Sequence, residues 1–196
     1  MPHSKPTNKD FLTSEYSDHI FDIYSKLKGQ LVEPPTNIRS WDVSTKDFII
    51  ELDEESHFNR YRLATLESNF YRNYEYFSLN DYKKYCIEKE IICLKTAHGR
   101  DGYWKKPSTE KQFCQSSLNG VLDDNGSSRW RQRAFYDFLK DISSKIMDMP
   151  ILRISIHDTY KNFTVDQLLK LGKEPLLYEL VSLKVESNDN EVLPPM

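Results

Sequence analysis

Three carboxylates, Asp42, Glu51 and Asp53, stand close enough in the chain to share one task. Glu51 and Asp53 are two apart, so on a strand they point to the same side. Asp42 lies on the other arm of a hairpin that turns over residues 44–47, and pairing about that turn brings it near Glu51. Carboxylates gathered in one pocket repel each other unless a cation neutralises them. Hard oxygen ligands with open positions suit Mg²⁺ or Mn²⁺, and such a metal activates water and stabilises a phosphoryl oxyanion. A plainer reading stands beside this one: Glu51, Asp53, Glu54 and Glu55 form a run of like charge, and such runs are usually solvated rims.

Arg129, Arg131 and Arg133 are candidates for phosphate binding, since planar guanidinium forks fit phosphate oxygens. Arg133 with Asp137 and Asp141 equally forms an ion ladder on a helix surface. Arg60 and Arg62 flank Tyr61, interleaving cationic and aromatic side chains in a way that suits a nucleic-acid strand; Tyr61 in the core is the alternative. Arg153 opens a late strand, where a salt bridge to the acidic cluster is its structural role. Cys86, Cys93, His98 and Cys114 contain no C-x-x-C pair and fit no zinc knuckle. No Walker loop, G-x-G-x-x-G or G-x-S-x-G is present, so NTPase, dinucleotide and α/β-hydrolase readings have no support.

The elements that must position these residues follow from hydrophobic spacing. Phe11, Leu12, Ile20, Phe21, Ile23, Tyr24 and Leu27 predict one helix over residues 10–28, after a loose start over 1–9. Residues 41–43 and 47–53 predict two strands of a hairpin, the second carrying the apolar run Phe48-Ile49-Ile50 into charge. Ser78 caps a helix in a tyrosine-rich middle. Trp130, Ala134, Phe135, Phe138, Leu139, Ile142 and Ile146 form one stripe of a helix over 129–147. Residues 151–157 alternate as a half-buried strand, Thr164 caps a helix through Leu171, and residues 175–184 form a last apolar element before a tail over 186–196. The expected architecture is α/β.

The chain has 196 residues and reads as a single domain, 1–196, with 59–128 as a mostly helical insertion. Its 12 Tyr, 10 Phe and 3 Trp supply large apolar faces, which excludes disorder for most of its length. A net charge of −3 excludes a histone-like packer but not a local cationic patch. No run approaches the ~20 apolar residues of a membrane helix, and residues 1–6 lack a signal-peptide core. Three cysteines, an odd number, point to a reduced, cytoplasmic protein.

Taken in order, these segments resemble the restriction-endonuclease-like PD-(D/E)XK superfamily, nearest to its very-short-patch-repair-like branch. The segments concerned are Asp42, then Phe48-Ile49-Ile50-Glu51-Leu52-Asp53-Glu54-Glu55-Ser56-His57-Phe58, then Arg129-Trp130-Arg131-Gln132-Arg133-Ala134-Phe135-Tyr136-Asp137 and Ile151-Leu152-Arg153-Ile154-Ser155-Ile156. The resemblance covers residues 8–58 and 129–160. The chain is also similar to an uncharacterised bacterial family with ELDEE-HFNRYR and RW-QRAFYDF segments, which implies no activity. The first resemblance implies a mixed central sheet flanked by helices and a Mg²⁺- or Mn²⁺-dependent nuclease cutting DNA, with RNA not excluded, in genome defence or repair. It implies Asp42, Glu51 and Asp53 as metal ligands, with Asp53 standing where many members have a catalytic Lys. His57 is then the candidate base or water orienter, and Glu15 a possible extra carboxylate. Non-catalytic alternatives are a nucleic-acid-binding or protein-interaction module of the same fold, as a homodimer or with a partner, and a protein whose acidic rim mimics DNA.

Overall fold

Two helices replace the single one expected over 10–28. In the computed structural model, which describes residues 4–189, α1 (Asn8–Thr13) is closed by a capping box between Thr7 and Asp10, and Ser14 then turns extended. The Ser14 hydroxyl donates to the Phe11 carbonyl, offering the backbone an alternative to a further helical turn. The chain resumes as α2 (Ser17–Lys26), and both helices put Phe11, Ile20, Ile23 and Tyr24 into the core. The loose start ends earlier than expected, since α1 begins at Asn8.

β1 (Val43–Ser44) is shorter than the sequence suggested, but it pairs antiparallel with β2 (Ile49–Asp53) as Val43↔Ile50 and Ser44↔Ile49. Thr45 closes the turn, its N–H and hydroxyl both donating to the Phe48 carbonyl. The middle of the chain is helical: α3 (Arg60–Leu66), α4 (Leu79–Glu88), α5 (Glu90–Ala97), α6 (Asp101–Trp104) and α7 (Pro107–Gln112). Its tyrosines and phenylalanines pack ring edge to ring face, as with Phe70 against Phe138 and Phe58 against Tyr82.

The long α8 (Ser128–Ile146) lays Trp130, Ala134, Phe135, Phe138, Leu139 and Ile142 into the core. Removing a ring such as Phe138 would cost about 3–5 kcal/mol. The entry to α8 is fixed: the Tyr61 hydroxyl accepts from the Ser127 N–H, and a Cβ on Gly126 would fall 1.7 Å from that same hydroxyl. With φ at +60°, only glycine fits there without strain.

After α8 the chain returns as β3 (Ile151–Ser155), buried on both faces rather than half-buried as expected because helices cover both, and parallel to β2 with Glu51↔Arg153 and Asp53↔Ser155. The sheet is therefore mixed, in the order β1-β2-β3. One face carries Glu51, Asp53 and Arg153 toward α8; the other packs Ile50, Leu52 and Ile154 against Val165, Leu177 and Leu180. Those last residues come from α9 (Val165–Lys170), which Thr164 caps as expected, and α10 (Glu174–Asp189). Between β3 and α9 a small hairpin pairs β4 (Thr159–Tyr160) with β5 (Phe163–Thr164) around Lys161 and Asn162, both at positive φ. The result is a mixed α/β fold with helices on both faces of a small sheet. No helix among the described residues is long and apolar enough to cross a membrane. Of the tail expected over 186–196, residues 186–189 instead belong to α10, and 190–196 lie outside the described residues.

Candidate functional site

Strand alternation carries Glu51 inward, and α8 runs across it, leaving a cleft of about 480 Å³ between the β1–β2 hairpin and the helix. The hairpin contributes Asp42 and Glu51 to its lining, α8 contributes Arg129, Arg133, Asp137 and Lys140, and Glu54 and His57 also line it. Asp42 precedes β1 and is exposed; its Oδ2 accepts from the Leu52 N–H at 2.9 Å, which pins it beside Glu51. Glu51 is 3% exposed. Its Oε2 receives Lys140 Nζ, while its Oε1 is buried with no partner. Burial pushes the Glu51 carboxyl up; Arg153 and Lys140 pull it down without cancelling that, and Asp42 pushes it up further. A buried carboxylate oxygen with no donor costs free energy unless something comes to meet it.

Lys140 was not expected from the sequence. It also donates to the Ser40 carbonyl at 3.3 Å and lies 5.7 Å from the centre of the Trp41 ring. It puts an ammonium beside Glu51 that the position of Asp53 does not supply.

Behind the cleft, Asp53 shares the side of Glu51, as alternation requires, but both its oxygens accept from Arg153 Nη1, at 2.7 and 2.9 Å. Arg153 is fully buried; its Nε donates to Asp141 and its Nη2 to the Asp137 carbonyl. Arg62 donates to the other Asp141 oxygen at 2.7 Å, and the Tyr71 hydroxyl joins it there. His57 Nδ1 lies 2.8 Å from Asp137 and 3.3 Å from Asp53. Burial alone would raise the Asp137 carboxyl, but His57, Arg153 and Arg62 together hold it well below the usual range. Asp53, His57 and Asp137 offer ligand atoms all within 4.8 Å of one another, a group that can hold a metal ion.

The structure thus brings Asp42, Glu51 and His57 to one cleft and commits Asp53 to an arginine behind it. The arginines divide in the same way. Arg129 and Arg133 line the cleft. Arg62, expected on a nucleic-acid face, is 1% exposed and spends its guanidinium on Asp141, Thr65 and Tyr71. Arg131 is likewise inside, donating to the Asn125 carbonyl and stacking over Tyr61. Neither has a surface to offer, because each tethers α8 or α3 to its neighbours. Arg60 is exposed but forked onto Glu90. Arg153 meets the acidic cluster as expected. Glu15 is exposed in the α1–α2 link and does not line the cleft. Cys86 and Cys93 are buried, their thiols pushed up to about 12 by desolvation, and belong to no ligand cluster among the described residues.

Sequence reasoning missed Lys140, Arg39, Tyr136 and the buried role of Asp137. Three of these, Tyr136, Asp137 and Lys140, sit on α8, and for two a signal existed: Asp137 and Lys140 follow Arg133 on one helical face at i+4 and i+7. A family model described as "Family of unknown function (DUF7255)" matches residues 22–171. No curated protein and no solved structure matches the chain.

Proposed function

The chain belongs to this family of unknown function, a membership that names no activity, and we propose from the cleft itself that the protein is a Mg²⁺- or Mn²⁺-dependent nuclease. The observation that carries the reading is Glu51 Oε1, buried, unpartnered and set in a cleft that also presents Asp42. Two hard oxygen donors beside a cationic wall fit a divalent ion bound together with a phosphate. Asp42 and Glu51 would hold the ion; when bound, it supplies water activation and charge stabilisation at phosphorus.

The chain's own residues do the rest. Arg129 and Arg133 hold the phosphodiester by charge-assisted hydrogen bonds. Lys140 limits the repulsion between Glu51 and an incoming anion. Asp137 takes the Nδ1 hydrogen of His57, leaving Nε2 as the ring nitrogen able to accept a proton from water. The order of hairpin, long helix and parallel strand, with helices on both faces, supports a restriction-endonuclease-like core, with Lys140 in place of the strand lysine. The second group, Asp53–His57–Asp137, is a poorer metal site because Arg153 already neutralises Asp53.

The test is calorimetric titration with Mn²⁺, followed by incubation with plasmid and single-stranded DNA or RNA. Wild type is expected to bind Mn²⁺ and cut; Glu51→Gln and Asp42→Asn should lose both. A protein that binds nucleic acid yet cuts none would be a non-catalytic module. Cutting that persists in Glu51→Gln would remove the cleft from the chemistry.

A further inference from the structure

Past Arg129 the cleft opens into a second cavity of about 710 Å³, and the two share Arg39, Asp42, Arg129 and Tyr136 in their linings. The second cavity presents Lys5, Arg39, Lys106 and Arg129 against the single carboxylate of Asp42. This is local concentration, since the chain as a whole carries −3. Arg39 and Lys106 make no side-chain ion pair among the described residues, and Lys5 reaches only the Ile38 carbonyl. Burial lowers the Arg129 guanidinium, and Arg133 and Arg39 lower it further against the opposing pull of Asp137, so these cations crowd one another. Aromatic faces stand among them. Tyr136 is half-buried where the cavities meet, and Trp41 lines the second, its indole N–H buried without a partner.

We propose that the two cavities form one groove that holds a single strand of nucleic acid, with phosphates running from Arg133 past Arg129 to Lys106 and Lys5, and unpaired bases against Tyr136 and Trp41. The proposal deepens the nuclease reading and rests on it for the position of the scissile phosphate. Backbone cations interleaved with aromatic rings suit a strand whose bases are free to stack, and in a duplex those faces are already covered. A groove that tracks phosphates by charge alone would need no rings. The acidic end at Asp42 and Glu51 repels a phosphate chain unless a cation is bound there, so without metal the strand is held by the basic end.

The experiment is fluorescence anisotropy in EDTA with a labelled oligothymidylate, its duplex with oligoadenylate, and oligouridylate, across a salt series. Wild type is expected to hold the single strand at least tenfold tighter than the duplex; comparing the two single strands separates DNA from RNA. Lys5→Ala/Lys106→Ala should flatten the slope of log affinity against log salt by about 1.4, two phosphate contacts at about 0.7 each. Tyr136→Leu should weaken single-strand binding without changing that slope. Equal or tighter duplex binding, or an unchanged slope in the double variant, overturns the groove. In parallel, wild-type hydrolysis of bis(p-nitrophenyl) phosphate with Mn²⁺ reports the catalytic end alone, since that ester is too small to span both cavities. Hydrolysis without strand binding removes only the groove, and strand binding without hydrolysis removes only the catalytic reading.

Discussion

Two regions of this protein gather charge densely, and they treat it in opposite ways. Between the sheet and α8, Arg62 and Arg153 meet Asp53, Asp137 and Asp141 in a buried network where each guanidinium reaches a carboxylate and each carboxylate is bonded. In the neighbouring cleft, Glu51 keeps an oxygen without a donor, and Arg39, Arg129 and Arg133 crowd one another with no ion pair of their own among the described residues. The same residue types serve both places. Charges that satisfy each other hold α3, α8 and the sheet in register; charges left unsatisfied are placed for something that arrives.

Four substitutions sharpen or break this contrast. Arg153→Leu has the largest expected effect, since it removes the buried cation that three carboxylates share, and should cost about 3–5 kcal/mol in urea unfolding. A loss under about 1 kcal/mol would show that the network does not hold the fold. Asp137→Asn should cost about 1.5–3 kcal/mol at neutral pH, by loss of the charged hydrogen bond to His57 and of the ion pair with Arg153. The Asp137 carboxyl is held below its ordinary value of 3.8 in the folded state, so its contribution is complete above that value and is lost as pH falls through the depressed one. Wild type and Asp137→Asn should therefore converge in stability toward acid, and a gap that widens there contradicts the assignment.

Glu51→Gln is expected to leave stability unchanged or raise it by up to about 1 kcal/mol, because the burial cost of the charge is not fully offset by Lys140 and Arg153. Cleavage should nonetheless disappear. Destabilisation on the scale of Arg153→Leu would move Glu51 from the cleft to the scaffold. Arg60→Ala has the smallest effect. Its fork onto Glu90 is half exposed, worth at most about 1 kcal/mol, and the difference should shrink in high salt.

The same contrast explains what could be read from the sequence. Periodicity located α8 and β3 to within a residue or two, because both bury long apolar stripes, and strand alternation placed Glu51 and Asp53 on one side. The single helix expected over 10–28 is broken because Ser14 satisfies its own backbone locally, an effect smaller than the apolar spacing that runs through it. Asp42 beside Glu51 was legible because a short hairpin joins them. The fate of Asp53 was not, since its partner Arg153 stands 100 residues away. Arg62 and Arg131 look in sequence like Arg129, and only the tertiary packing of α8 decides which guanidinium faces out. Lys140 was hidden for a related reason: one more charge on an amphipathic helix gives no sign that it ends on a carboxylate 89 residues earlier.

The parallel pairing of β2 with β3 also sets the order in which the molecule can be made. Ile49–Asp53 leaves the ribosome about a hundred residues before Ile151–Ser155, a delay of roughly 5–20 seconds at ordinary elongation rates. Throughout that interval β2 has only the two-residue β1 beside it, and its other edge is open to pairing with a neighbouring chain. Asp53 waits as long for Arg153. Nascent chains stalled before Ile151 should therefore be cleaved readily by protease and held by chaperones, and those stalled far enough beyond Leu180 to expose α9 and the start of α10 should resist both.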